Sequence, residues 1–116
     1  MKRHIVQTRM FAKRVEELLR TYSLLLCDFE LLKRTLVENP KSGSVIPGTG
    51  GLRKIRLKSP GKGKSGGLRV CYLDDQASEM LFLIIIYAKN EQEDLTPAEK
   101  KALRELVYDI KGKKHE

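Results

Sequence analysis

The sequence has no tryptophan, only two cysteines and two histidines, and no acidic residue at all between Glu38 and Asp74. Each shortage removes a class of function. Cys27 and Cys71 stand among apolar neighbours without CxxC or Cys/His ligand spacing, so neither a zinc site nor a disulfide is expected and both read as buried thiols. His4 and His115 lie at the two ends of the chain and are assigned no catalytic role. No stretch reaches the roughly 18 apolar residues that a membrane span requires. Met1-Lys2-Arg3-His4 leads into too few apolar residues to read as a signal peptide. A cytoplasmic protein without metal, cofactor or membrane association is expected.

The missing acids matter most. Residues 39–73 carry Lys41, Arg53, Lys54, Arg56, Lys58, Lys62, Lys64 and Arg69, eight of the 23 Lys and Arg, and the 15 others are matched by 15 Asp and Glu. The whole net charge of +8 therefore comes from one segment of an otherwise neutral chain. Solubility would spread both signs over the surface, whereas a concentrated cationic segment is the electrostatic footprint of a site for polyanions, and nucleic acid is the one expected. A lysine row also keeps an exposed sheet edge from pairing, but that role does not require an acid-free stretch running into a glycine loop.

At 116 residues, 41% apolar and 33% charged, the chain fits one globular domain. His4–Gln7 reads as a strand, followed by Thr8 as N-cap of a helix whose Phe11, Val15, Leu18, Leu19 and Tyr22 recur at three- and four-residue steps. Asp28 is the expected cap of a second helix with Phe29, Leu32 and Leu36 on its core stripe, ending at Asn39-Pro40. Residues 41–51 are turn-rich and hold no expected regular element. The period then becomes two, with Ile55 and Leu57 facing one way and Lys54, Arg56 and Lys58 the other. A basic glycine loop, residues 60–67, leads to a partner strand over 68–73. The continuous apolar run Met80–Tyr87 reads as a central strand covered on both faces. Thr96-Pro97-Ala98-Glu99 opens a last helix with a capping box, its stripe being Ala102, Leu103, Leu106, Val107 and Ile110. Residues 111–116 read as a flexible basic tail. The order β-α-α-β-β-β-α defines an α+β domain with helices packed on a small, mostly antiparallel mixed sheet.

Gly61-Lys62-Gly63-Lys64-Ser65 is not a phosphate-binding P-loop, because Lys58 stands where the first glycine is needed and a strand follows the loop. A polynucleotide site fits better: Lys54, Arg56 and Lys58 on one strand, Lys62 and Lys64 in the loop and Arg69 on the partner strand converge on one surface. RNA cleavage by its own 2′-hydroxyl needs a base, positive charge at the pentavalent phosphate and an acid for the leaving oxygen. Clustered Arg and Lys supply the charge directly. Tyr87, at the end of the central strand where the chain emerges toward the surface, has its phenolate favoured by neighbouring cations and is a candidate for proton transfer. It serves equally well as an aromatic that closes the core.

Four segments at matching intervals carry a resemblance: Val45-Ile46-Pro47-Gly48-Thr49-Gly50-Gly51-Leu52-Arg53-Lys54-Ile55-Arg56; Gly61 to Gly67 with Arg69; Ile86-Tyr87-Ala88-Lys89-Asn90-Glu91; and Asp94-Leu95-Thr96-Pro97-Ala98-Glu99. Together they resemble the RelE/ParE toxin superfamily, and within it the HigB-type RelE-like toxins. The segment Thr21–Cys27 departs from the pattern by being longer and more apolar. The resemblance implies a type II toxin–antitoxin toxin that cuts mRNA in the ribosomal A site and is neutralised by a cognate antitoxin with a helix-turn-helix domain. It assigns catalysis to Arg69, Tyr87, Lys89 and Arg56, and RNA binding to Arg53, Lys54, Lys58, Lys62, Lys64 and Asn90. The alternatives are a ParE-like poison of DNA gyrase and a non-enzymatic RNA- or DNA-binding module.

Overall fold

The computed structural model describes residues 3–61, 67–92 and 94–112. Along the chain run β1 (His4–Gln7), α1 (Arg9–Arg20), α2 (Leu26–Glu38), β2 (Ser44–Val45), β3 (Arg53–Leu57), β4 (Leu68–Asp75), β5 (Met80–Ala88) and α3 (Pro97–Gly112), with one 3-10 turn at Gln76–Ser78. The strands form one sheet in the order β1-β5-β4-β3-β2. Only β1 runs parallel to its neighbour; the other three pairings are antiparallel. The expected α+β architecture holds, with β2 as an added strand.

Two cores lie on the two faces of the sheet. On one, α1 and α2 lay Phe11, Val15, Leu18, Phe29, Leu32 and Leu36 over Leu57, Leu68, Val70, Tyr72, Leu81, Leu83 and Ile86. On the other, α3 lays Leu103 and Val107 over Cys71, Leu73, Ile84 and Tyr87, with Ile46, Leu52 and Leu95 filling the rim. This explains why the run from Met80 to Tyr87 is apolar throughout: β5 is central and has a core on each side.

Local chemistry sets the ends of the elements. The Thr8 hydroxyl accepts from Phe11 N–H at 3.1 Å, capping α1 as its residue type predicts. Tyr22, at φ 57, ends α1 in the left-handed region that glycine usually occupies. The second helix begins at Leu26 with Leu25 as a cap that makes no side-chain bond, so Asp28 is not the cap but sits in the first turn, where its charge still suits the helix dipole. Burial of Leu24 at 1% exposure anchors this entry. Thr96 and Glu99 form the expected capping box of α3, each bonding the other's backbone N–H.

Three further expectations change. The turn-rich stretch holds the two-residue β2, paired with Lys54 and Arg53. Behind it Tyr72 hydroxyl accepts from Gly43 N–H and donates to Pro40 carbonyl, both at 2.8 Å. A β-carbon on Gly43 would lie 2.8 Å from Lys54 carbonyl oxygen, so the approach admits glycine only. Cys27 is exposed and Cys71 buried, both free, because position 27 falls on the outer side of the first turn of α2. The helix α3 continues through Gly112, and Lys111 Nζ donates to Gly50 carbonyl at 3.0 Å, so residues 111 and 112 are not tail.

Candidate nucleic-acid site

The sheet register places Arg56 opposite Arg69, and Arg69 opposite Tyr87. Residues directly opposite in adjacent strands point to the same face. Arg56, Arg69 and Tyr87 thus form one row across β3, β4 and β5, about 10 Å wide. The row lies on the α3 side of the sheet, since Tyr87 packs with Cys71, Leu95, Leu103 and Val107.

A β-bulge makes this row possible. Tyr72 pairs with Leu83 and Cys71 with Ile85, which leaves Ile84 with no partner in β4. Before the bulge the odd residues Leu81 and Leu83 face α1 and α2; after it the even residue Ile86 does, and Tyr87 turns to the opposite core. Strict alternation would have buried Tyr87 under α1, away from both arginines. Thr8 fastens the bulge: its hydroxyl donates to Ile84 carbonyl at 2.9 Å while its N–H bonds Leu83 carbonyl at 3.0 Å. The residue that caps α1 therefore also satisfies the carbonyl that the bulge takes out of the ladder.

Tyr87 is not at the surface but 5% exposed. Its hydroxyl is a buried polar atom with no hydrogen-bond partner among the described residues. Burial pushes its pKa up to about 12, with Cys71 and Asp94 adding to the rise and Arg69 opposing it. The expected preference for phenolate is therefore reversed. Removing the phenol from water costs the anion more than the partly buried Arg69 returns, and Tyr87 keeps its proton at neutral pH.

The other expected site residues divide by place. Lys54 shares the α3-side face with the row, two residues from Arg56, and its Nζ lies 3.5 Å from Asp94 Oδ1. Arg53 belongs to the opposite face, beside Tyr72, and its guanidinium donates to Gly43 carbonyl at 2.7 Å. It holds the β2 loop rather than joining the row. Its parity with Ile55 and Leu57 carried that signal in the sequence. Lys58 follows the end of β3, exposed, and lines a shallow groove with Asp28 and Leu31 of α2. Lys89 directly follows β5, and its N–H bonds Gly67 carbonyl at 3.0 Å beside the start of β4. Asn90 lines a cleft of about 550 Å³ on the α1 side, with Arg14, Glu17, Ser59 and Glu91. Lys62 and Lys64 lie outside the described residues. The bulge, and the bond by which Thr8 fastens it, were missed by sequence reasoning, since a uniformly apolar strand shows no alternation from which a change of phase is read.

No group of three or more His, Cys, Asp or Glu able to hold a metal occurs among the described residues. None of their helices is long and apolar enough to cross a membrane. Fold and site together define a small α+β protein that presents guanidinium charge and a buried phenol at one end of a sheet. The family described as the RelE toxin of the RelE/RelB toxin–antitoxin system matches residues 3–116, and the chain belongs to that family. A mutant of the Escherichia coli toxin RelE, solved in the free state, has a similar fold with a TM-score of 0.56 at 19% identity, covering 80% of this chain and 90% of that one. The protein is thus the toxin of a toxin–antitoxin pair, with an antitoxin as its partner.

Proposed function

We propose that this toxin is a ribosome-dependent endoribonuclease that cuts mRNA and so stops translation, as expected of HigB-type RelE-like toxins. The observation that supports it is the Arg56–Arg69–Tyr87 row, which sets two cations and one proton-bearing phenol on a single face. In the cleavage step the 2′-hydroxyl releases its proton to solvent water as its oxygen bonds to phosphorus, and the bond to the 5′-oxygen breaks and that oxygen takes up a proton, giving a 2′,3′-cyclic phosphate and a 5′-hydroxyl. Arg69 lies between the other two and holds the scissile phosphate, and Arg56 adds charge as negative charge builds on the equatorial oxygens. Its pKa pushed up to about 12 makes Tyr87 a proton donor rather than a base, and donation to the 5′-oxygen requires that RNA binding uncover its hydroxyl, which is buried in the free protein. Lys54, Lys58, Lys62, Lys64, Lys89 and Asn90 supply further contacts to mRNA and ribosomal RNA in the cytoplasm. The antitoxin carries a helix-turn-helix domain.

Mapping mRNA 5′ ends within minutes of inducing the toxin without antitoxin tests the reading. New ends within translated frames, absent when initiation is blocked and absent for Arg69→Ala, are expected. Arrested growth with intact mRNA would overturn it in favour of a gyrase poison. Intact mRNA with normal growth would leave a passive binding module.

A further inference from the structure

Lys54, within the acid-free stretch, lies beside a carboxylate. Its Nζ lies 3.5 Å from Asp94 Oδ1, and the two side chains are 32% and 58% exposed. Asp94 comes from the connection between β5 and α3, beyond the acid-free residues 39–73. Lys54 projects from β3 onto the same face as the Arg56–Arg69–Tyr87 row, opposite Cys71 and one step along the sheet from it. A phosphodiester that turns from Arg56 along β3 meets this ammonium next.

We infer that Asp94 is a built-in competitor for RNA: its carboxylate occupies on Lys54 the position that a backbone phosphate takes when the nucleic acid binds. The inference rests on the RNA-binding reading of the preceding section. A carboxylate and a phosphodiester carry the same single negative charge on oxygen acceptors, so one replaces the other on an ammonium without new chemistry. The contact is long and partly exposed, the kind of pair that contributes little to folding and exchanges easily. Asp94 also has a second task that outlasts the exchange, because its Oδ1 accepts from Leu95 N–H at 2.9 Å. This backbone bond is the main cause holding its carboxyl below the usual range, ahead of Lys54. The carboxylate therefore stays anchored when the lysine leaves.

That anchoring makes the test clean, since Asp94→Asn keeps an oxygen for Leu95 N–H and removes only the charge. Binding of a labelled 2′-O-methyl single strand, which cannot be cleaved, is followed by fluorescence anisotropy across a salt series. The proteins are wild type, Asp94→Asn, Lys54→Gln and the double variant, with Asp109→Asn, exposed on α3, as a control for net charge and Asp94→Ser as a second variant that keeps an oxygen and removes the charge. Asp94→Asn is expected to bind several-fold more tightly at low salt, with a slope of log affinity against log salt steeper by about 0.7, one more phosphate contact on a single strand. The gain disappears in the Lys54→Gln background and is not reproduced by Asp109→Asn. Equal affinity and slope for wild type and both Asp94 variants would overturn the inference while leaving RNA binding intact, as would a gain that survives Lys54→Gln. Binding by none of the proteins would overturn the RNA reading and this inference with it.

Discussion

A phenol hydroxyl sealed from water without an acceptor costs a fold about 1–3 kcal/mol, and Tyr87 is the side chain where that cost is visible. Phenylalanine would fill the same space between Cys71, Leu95, Leu103 and Val107 without the penalty. Tyr87→Phe is therefore expected to leave stability unchanged or raise it by about 1 kcal/mol in urea unfolding, while mRNA cleavage is lost. A loss of more than about 1 kcal/mol would show that the hydroxyl has a partner. The same burial predicts alkaline behaviour. Tyr87 and Cys71 both have pKa values pushed up to about 12, from ordinary values of 10.0 and 9.0. Above pH 9.0 the unfolded chain releases protons that the folded chain retains, so the stabilisation from these groups is fully present below that pH. It is lost as the pH rises toward about 12. Urea midpoints should fall across that window, and Cys71→Ala should move the onset up toward 10.0, the ordinary value for tyrosine.

Strand β5 shows how an element aims a residue that its own sequence leaves undirected. Strands and helices with a clear period were legible in the chain: Phe11, Val15 and Leu18 fall on the buried face of α1, and Thr96 with Glu99 opens α3. The stripe of α3 was less so, because of its five apolar positions only Leu103 and Val107 are buried and Leu106 is 36% exposed, the helix covering just one end of a narrow sheet. In β5 every residue from Leu81 to Ile86 is apolar, both faces are core, and the bulge at Ile84 leaves no trace in the pattern. Its determinant lies 76 residues away in sequence, where Thr8 donates to the Ile84 carbonyl. Thr8→Val keeps the shape but removes the α1 cap and unpairs that carbonyl, a loss of about 2 kcal/mol by urea unfolding. Because the bulge also turns Tyr87 toward Arg69, cleavage should fall well below what the folded fraction accounts for. Activity that tracks the folded fraction alone would mean that the sheet holds the bulge without Thr8.

The charge distribution was the most legible feature and the least altered by folding, since a run of residues without acids stays cationic however it is arranged. What the sequence does not carry is which of its cations share a face. Register brings Arg56 and Arg69 together with Lys54 beside them, parity sends Arg53 to the opposite core, and the end of β3 leaves Lys58 against α2. The neutral remainder of the protein makes this an unusually direct test of site against background. If about four phosphates of a single strand are contacted, log affinity should fall with log salt at a slope near −3, so a fourfold rise in salt weakens binding about 50-fold. Arg56→Ala and Arg69→Ala should each reduce that slope by about 0.7 and weaken binding evenly across RNA sequences, as phosphate contacts do. Lys13, exposed on α1 among the balanced charges, provides the comparison. Lys13→Ala lowers the net charge by the same unit, yet it should leave the slope where it was. An equal change for all three variants would show that the RNA responds to total charge and that the row has no privileged place in binding.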